Sequence, residues 1–170
     1  MLVRNPVNRA RGQRHDLGEL MALYECNYIR LRQMIACLPA GDEAVVSRLD
    51  GALDLHLRVL ERSRYTTTLL LTYWFEDGEG AFPAPEIRVR LYHDARLAEV
   101  LSCGRRRGRR DALYDRTRRP YSLDQKWSMN RFLQKWLGYC LRQGHRFGRR
   151  PDAVPADCGW DELLASLGNA

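Results

Sequence analysis

The stretch that most constrains the fold of this chain is residues 87–101, IRVRLYHDARLAEVL, which has the pattern of a β-hairpin. Apolar and polar residues alternate from Ile87 to Tyr92, as in a half-buried strand. A two-residue turn over residues 94 and 95 predicts four opposed pairs: His93 with Arg96, Leu91 with Ala98, Arg90 with Glu99, and Val89 with Val100. This register places four apolar side chains on one face and an Arg90–Glu99 ion pair on the other.

Two amphipathic helices flank the strand region. The first carries an apolar stripe after an N-cap at Asp16 and ends near residues 39–41; the stripe is Leu17, Leu20, Met21, Tyr24, Tyr28, Leu31, Ile35 and Leu38. The second begins at a capping box formed by Ser122 and Gln125 and stops at Gly144. Its stripe is Met129, Phe132, Leu133, Trp136, Leu137, Cys140 and Leu141.

Two further strands precede the hairpin, at residues 53–60 and 65–75, with an edge strand suggested around residues 44–48. Residues 76–85 contain two Gly and two Pro and are predicted to be a loop. Short connections favour antiparallel pairing. The predicted class is therefore α+β, an antiparallel β-meander of about four strands with two long amphipathic helices packed on one face, in the order α-β-β-β-β-α.

The predicted organisation has one domain, because 170 residues suffice for a single core. Residues 1–14 are a basic flexible leader, residues 15–145 the α+β domain with an Arg-rich loop at 104–120, and residues 146–170 a linker and short C-terminal helix. The apolar residues of that helix are Trp160, Leu163, Leu164 and Leu167.

Positive charge is concentrated in residues 1–14, 104–119 and 142–150, whose combined charge of +14 exceeds the net charge of +7 and leaves −7 for the remainder. Segregated basic tracts are typical of proteins that bind nucleic acid or phosphate-bearing ligands. Alternatively, these arginines only keep the protein soluble, and the 26 Arg against two Lys reflect coding bias.

Alternation of residues predicts a sheet face that the helices leave open. Its members are His56, Arg58, Thr66, Thr68, Thr72, Trp74, Arg88, Arg90, Tyr92 and Glu99. Arginines, hydroxyls and aromatic rings on one surface suit an anionic partner such as RNA or a nucleotide-like ligand. The plainer interpretation is a solvated face with cross-strand pairs.

The candidate ligand-binding residues are Arg62, Arg64, Tyr65, Arg88, Arg90, Tyr92, His93, Asp94, Glu99, Asp124, Lys126 and Asn130. Lys126 and Asn130 are four residues apart on one helix face, where both can reach a shared partner. Asp124 is also explained by the helix dipole. We assign no catalytic residue, metal or cofactor, and the sequence indicates no oligomeric state.

Two other functional classes remain open. A small hydrolase or transferase would use Glu61, His93, Asp94 and Glu99, although neighbours on a strand point in opposite directions and a His93–Asp94 dyad would need a bent turn. A protein interaction module would use apolar sheet residues or the Trp160 segment. Phosphate-loop, zinc-protease and nucleophile-elbow motifs are absent from the sequence.

The expected location is the cytoplasm. Five widely spaced cysteines without a CxxC pair favour a reducing compartment. No apolar run approaches the roughly 20 residues of a membrane helix, and the basic N-terminal stretch lacks the apolar region of a signal peptide. No membrane association is therefore predicted.

Three ordered motifs resemble the YqiB-like family, a proteobacterial group of uncharacterised proteins. They are ERSRYTT at residues 61–67, VRLYHD at 89–94 with AEV at 98–100, and Asp124, Lys126 and Asn130 with FL at 132–133 and WL at 136–137. YECNY at residues 24–28 is similar too, so the resemblance spans roughly residues 17–145. It implies a cytoplasmic bacterial protein and no particular activity. The segment before Asp124 lacks the family's Tyr-Pro-Asn, and the two ends of the chain look like additions.

Overall fold

The computed structural model of the chain describes residues 15–41, 43–77, 80–104 and 120–148. The predicted leader, most of the Arg-rich loop and the predicted C-terminal helix lie outside these ranges.

Helix α1 spans Leu17–Met34, with Asp16 accepting a 2.7 Å hydrogen bond from the Glu19 backbone N–H, so the predicted N-cap is confirmed. The helix ends earlier than its apolar stripe predicted. Beyond Met34 the backbone pairs with Phe147: Ala36 N–H donates to the Phe147 carbonyl at 2.9 Å, and Phe147 N–H donates to the Met34 carbonyl at 2.8 Å. Ile35 and Leu38 are nevertheless buried, which is why their spacing looked helical.

Helix α2 spans Leu123–Gln143 and has both predicted ends. Ser122 and Gln125 form the reciprocal capping box, and Gly144 closes the helix in the left-handed region at φ 102°. A residue without a Cβ adopts that conformation without strain. Contacts from His15 to Trp127 and from Asn27 to Asn130 show that α1 and α2 run parallel, side by side.

The strands are β1 (Val45–Ser47), β2 (Leu55–Arg62), β3 (Thr66–Asp77), β4 (Gly80–Pro83), β5 (Glu86–Tyr92) and β6 (Leu97–Gly104). All pairs are antiparallel, in the order β1-β2-β3-β5-β6, with β4 attached to β3. This confirms the α+β class with an antiparallel sheet and two helices, but the sheet has six strands, not about four.

The unpredicted strand is β4, which falls in the predicted loop. It forms because β3 continues to Asp77 and turns back, so that Phe75 lies opposite Phe82 with the ring centroids 5.9 Å apart. Stacking of two aromatic rings outweighs the glycines and prolines that favour a loop. Strand β1 coincides with the edge strand suggested around residues 44–48.

The β5–β6 hairpin has the predicted register, with Leu91 opposite Ala98, Arg90 opposite Glu99 and Val89 opposite Val100. A register shift between Val59 and Glu61 in β2 alters the alternation there. Because of this bulge, Glu61 lies opposite Thr68 and points to the same face as Arg58.

The core lies between the helices and one face of the sheet. It comprises Tyr28, Leu31, Met34, Ile35 and Leu38 near α1, the sheet residues Leu55, Leu57, Val59, Leu69, Leu71, Tyr73, Ile87, Val89, Leu91, Ala98 and Val100, and Leu133, Trp136, Leu137, Cys140 and Phe147. Phe147, just beyond helix α2, is also buried. Neither described helix is long and apolar enough to cross a membrane.

Candidate functional site

The outer face is the face of the sheet that points away from α1 and α2. Strand pairing and the alternation of buried residues place the following side chains on it: His56, Arg58, Glu61, Thr66, Thr68, Leu70, Thr72, Trp74, Glu86, Arg88, Arg90, Tyr92 and Glu99. The division between a helix-covered apolar face and an arginine-bearing outer face therefore agrees with the sequence pattern.

One row across the outer face contains Arg58, Leu70 and Arg88, each opposite the next on strands β2, β3 and β5. The two arginines are separated by two strand spacings, about 10 Å. Arg58 is exposed and Arg88 half-buried. Neither belongs to the ion pairs found within the described part of the chain. Two guanidinium groups thus flank a leucine, and no carboxylate of a described residue forms an ion pair with them.

The adjacent row contains Glu61, Thr68, Arg90 and Glu99. Arg90 Nη2 lies 3.3 Å from Glu61 Oε2, and Arg90 Nε donates to Thr68 Oγ1 at 3.3 Å. The predicted Arg90–Glu99 ion pair is replaced, because Arg90 turns to β2 while Glu99 is bound by Lys126 from helix α2.

The threonines of the outer face contribute less than the sequence suggested. Thr68 is 1% exposed and Thr72 is 5% exposed. Thr68 accepts from Arg90, and the Thr72 hydroxyl donates to the Tyr73 carbonyl at 3.0 Å. The accessible polar groups are therefore mainly the arginines. Trp74, which is 41% exposed and contacts His56 edge-on at 5.9 Å, supplies an open aromatic ring.

Glu99 is the centre of a polar cluster on the edge strand β6, so its carboxylate contacts both helices although its register position is on the outer face. Its Oε1 accepts from Lys126 Nζ at 2.8 Å and from the Tyr24 hydroxyl at 3.1 Å, and its Oε2 accepts from the Tyr92 hydroxyl at 3.1 Å. Burial and the nearby Glu99 carboxylate raise the pKa of Tyr24 and of Tyr92 above the ordinary tyrosine value. A carboxylate held by three donors is well suited to joining elements and poorly suited to accepting a proton from a substrate.

Asn130 is fully buried and joins α2 to the same edge strand. Its Oδ1 accepts the Val100 backbone N–H at 3.0 Å, and its Nδ2 donates to the Lys126 carbonyl at 2.8 Å. Asn27 of α1 donates to the Asn130 carbonyl at 3.1 Å. Lys126 and Asn130 do share a partner, as their spacing suggested, and that partner is strand β6.

His93 is buried on the helix side of the sheet, where its Nε2 lies 2.8 Å from Thr67 Oγ1. Burial, reinforced by the positive charges of Arg62 and Arg32, lowers the pKa of His93 from 6.5 to about 4. Asp94 is exposed in the turn. The candidate catalytic residues are therefore not brought together, since Glu61 and Glu99 lie on the outer face and His93 lies on the opposite one.

The remaining candidates occupy three separate places. Arg62 Nη2 donates to the Pro39 carbonyl at 2.8 Å. The Arg64 guanidinium lies over the Tyr65 ring, 5.2 Å from its centroid. Asp124 is exposed in the first turn of α2, as the dipole argument expects.

Sequence reasoning assigned no role to several paired polar residues. Tyr24 and Asn27 are examples, and so are two contacts near the end of α2: the Tyr73 hydroxyl with Cys140 Sγ at 3.1 Å, and His145 Nδ1 with Ser47 Oγ at 3.1 Å. The sequence did contain a signal for two buried polar residues: Asn27 and Asn130 are each an amide residue within an apolar helical stripe. Among the described residues, no group of three or more His, Cys, Asp or Glu is placed to hold a metal ion.

Glu99→Gln is expected to lower the free energy of unfolding by about 1 kcal/mol, because an amide accepts the three donors less strongly than a carboxylate. It should also shift the ionisation of Tyr24 and Tyr92 to lower pH. Ultraviolet absorbance measures tyrosinate formation in Glu99→Gln as the pH is raised. Tyr139→Phe, which removes an exposed tyrosine, is the control. An unchanged titration curve in Glu99→Gln would contradict the arrangement.

Together these observations define a small α+β protein in which two parallel helices cover one face of an antiparallel sheet and polar contacts join them to its β6 edge. A model of the family described as "Protein of unknown function (DUF1249)" matches residues 30–146. The chain is 34% identical over 137 residues to the uncharacterized protein YqiB of Escherichia coli strain K12, a match that covers 76% of this chain and 91% of that protein. YqiB of Escherichia coli O157:H7 matches to the same extent.

The chain therefore belongs to the DUF1249 family, and the resemblance to YqiB-like proteins is confirmed. No solved structure matches the chain.

Proposed function

We propose that the protein is a non-enzymatic binding module that holds an anionic partner, RNA or a nucleotide-like ligand, on its outer face. The observation that carries this proposal is the Arg58–Leu70–Arg88 row, in which two guanidinium groups that form no ion pair with any described residue lie on either side of Leu70. A guanidinium forms two parallel hydrogen bonds with a phosphate, and strands position such groups more firmly than loops do.

The charge distribution on the outer face supports this assignment. Glu61 is neutralised by Arg90, and Glu99 by Lys126. Among the described side chains assigned to the outer face, Glu86 is the remaining acidic residue, two positions from Arg88 on β5. Positive potential is therefore centred on Arg58 and Arg88. The three basic tracts of the sequence would add a non-specific attraction that weakens with salt.

Trp74 adds a stacking surface to the same face. Its ring contacts His56, which is two residues from Arg58 on β2. Every nucleobase has an aromatic face. An exposed indole on the same sheet face as two guanidinium groups therefore suits the binding of single-stranded nucleic acid without strong sequence preference. Trp74 is four residues from Leu70 on β3, which corresponds to about 13 Å along the strand.

The test is fluorescence anisotropy with a labelled 12-nucleotide single-stranded RNA at two salt concentrations, with ATP as a competitor. The double variant Arg58→Ala/Arg88→Ala is expected to bind about ten-fold more weakly and to lose about 1.4 from the slope of log affinity against log salt, since each phosphate contact on a single strand contributes about 0.7. Trp74→Ala should weaken binding by about five-fold or more.

The matched control is Arg96→Ala/Arg131→Ala, which removes the same charge from exposed positions outside the outer face and the basic tracts. It should leave the affinity within about two-fold of the wild type. The proposal fails if the wild type shows no salt-sensitive binding to RNA or ATP, or if the control variant weakens binding as much as the outer-face variant.

A further inference from the structure

Helix α2 has aromatic residues on a flank that faces away from α1. Phe132, Trp136 and Tyr139 follow one another at steps of four and three residues, and we call them the aromatic stripe. Trp136 is 9% exposed and packs edge-on against Tyr73, with the ring centroids 5.4 Å apart, whereas Phe132 is 41% exposed and Tyr139 is 48% exposed. Exposed aromatic residues grouped in this way mark an interaction surface more often than isolated ones do.

Cationic side chains border the aromatic stripe. Lys135 and Arg142 each follow an aromatic residue of the stripe by three positions, and both are exposed. Side chains three residues apart on a helix are neighbours. Phe132 and Tyr139 therefore expose apolar surface two helical turns apart, with positive charge along one side, and this surface favours an amphipathic segment that carries acidic residues.

The chain contains one segment with this chemistry outside the described residues. Trp160, Leu163, Leu164 and Leu167 have helical spacing over seven residues, the same span as Phe132 to Tyr139. Residues 151–170 contain four acidic residues and no Lys or Arg, and two of these, Asp161 and Glu162, lie within the apolar repeat. The segment thus complements the stripe in both its apolar spacing and its charge.

The chain between the end of α2 and Trp160 is long enough for the C-terminal segment to reach the aromatic stripe. The described residues end at Gly148, four residues after α2 closes at Gly144. Twelve residues from Gly148 to Trp160 reach up to about 40 Å. Gly144 lies about 18 Å from Phe132 along the helix axis, at 1.5 Å per residue. The segment can therefore turn back along α2 without strain.

We propose that residues 160–167 form a helix that packs on the aromatic stripe of the same molecule, with Asp161 and Glu162 directed toward Lys135 and Arg142. The segment lies beyond residue 146, where the family match ends, so the interaction would be an addition to the domain that the family shares. Intramolecular attachment favours this partner over another molecule, because a short tether gives a millimolar effective concentration.

Hydrogen exchange of the full-length protein, read by mass spectrometry, tests the proposal. Amides of residues 160–167 are expected to exchange at least ten-fold more slowly than in an unstructured peptide. Phe132→Asp/Tyr139→Asp should abolish that protection, since both positions are exposed and the new carboxylates repel an acidic segment. Trp160→Ser should abolish it as well, without any change in the domain.

Ile29→Asp is the matched control, because Ile29 is an apolar residue of α1 that is 51% exposed and lies outside the stripe. It should leave the protection of residues 160–167 unchanged. Rapid exchange of the segment in the wild type would overturn the proposal, and so would protection that survives both stripe substitutions. Protection that rises with protein concentration, together with a dimer in light scattering, would assign the stripe to a second copy and overturn it as well.

Discussion

Asn130→Ala is expected to lower the free energy of unfolding at neutral pH by about 3 kcal/mol. This loss is larger than the loss expected for Glu99→Gln. The substitution removes the Oδ1 atom that accepts the Val100 backbone N–H at 3.0 Å in a fully buried site. An unsatisfied buried donor costs about 1–3 kcal/mol, and the cavity left by the lost amide adds to that cost.

Chemical denaturation at pH 7 measures this effect, with Lys135→Ala as the control because that residue is an exposed position of the same helix. The control should stay within about 0.5 kcal/mol of the wild type. Asn27→Ala and Asn130→Ala should also combine non-additively, since Asn27 Nδ2 lies 3.5 Å from the Asn130 side-chain oxygen Oδ1. A loss below about 1 kcal/mol in Asn130→Ala would contradict the role of this amide in holding α2 to β6.

Acidification should destabilise the protein through His93, by up to about 3 kcal/mol between neutral pH and pH 4. Burial and the charges of Arg62 and Arg32 lower the pKa of His93 in the folded state from 6.5 to about 4. The unfolded chain therefore binds more protons between these two values. The stabilisation is fully present above about pH 6.5 and is lost as the pH falls toward 4.

Urea unfolding of the wild type and of His93→Gln at pH 7 and pH 4.5 isolates this contribution, because glutamine does not titrate. The wild type should lose about 2 kcal/mol more than the variant over that interval. His56→Gln, at a half-buried position of the outer face, serves as the control and should change the pH dependence far less. Equal pH dependence in the wild type and in His93→Gln would show that His93 is not held neutral by the fold.

These residues also show why the candidate site was only partly predictable. His93 and Asn130 were both selected from the sequence, but as ligand-binding residues. Inside the protein, His93 Nε2 lies beside Thr67 Oγ1 and Asn130 Oδ1 accepts the Val100 N–H, partners that are 26 and 30 residues away. Their roles depend on which strand lies beside which helix, and no local pattern contains that information.

The contacts of Arg90 and Glu99 on the outer face were also only partly predictable from the sequence. Their opposition across the hairpin was predicted, because turn length and alternation set a two-strand register. Their ion pairs were not predicted, since Glu61 reaches the outer face only through the β2 bulge and Lys126 comes from a helix 27 residues from Glu99 in the sequence.

The sequence by itself determined the helices with their caps, the hairpin register and the division of the sheet into an apolar face and an arginine-bearing face. Each of these follows from residues within a few positions of one another, through side-chain periodicity and local hydrogen bonds. Tertiary structure alone decided the β3–β4 hairpin at Phe75 and Phe82, the early end of α1 at Met34 and the distant partners of His93, Glu99 and Asn130. Those outcomes depend on contacts between distant segments, where pairing and burial outweigh local preference.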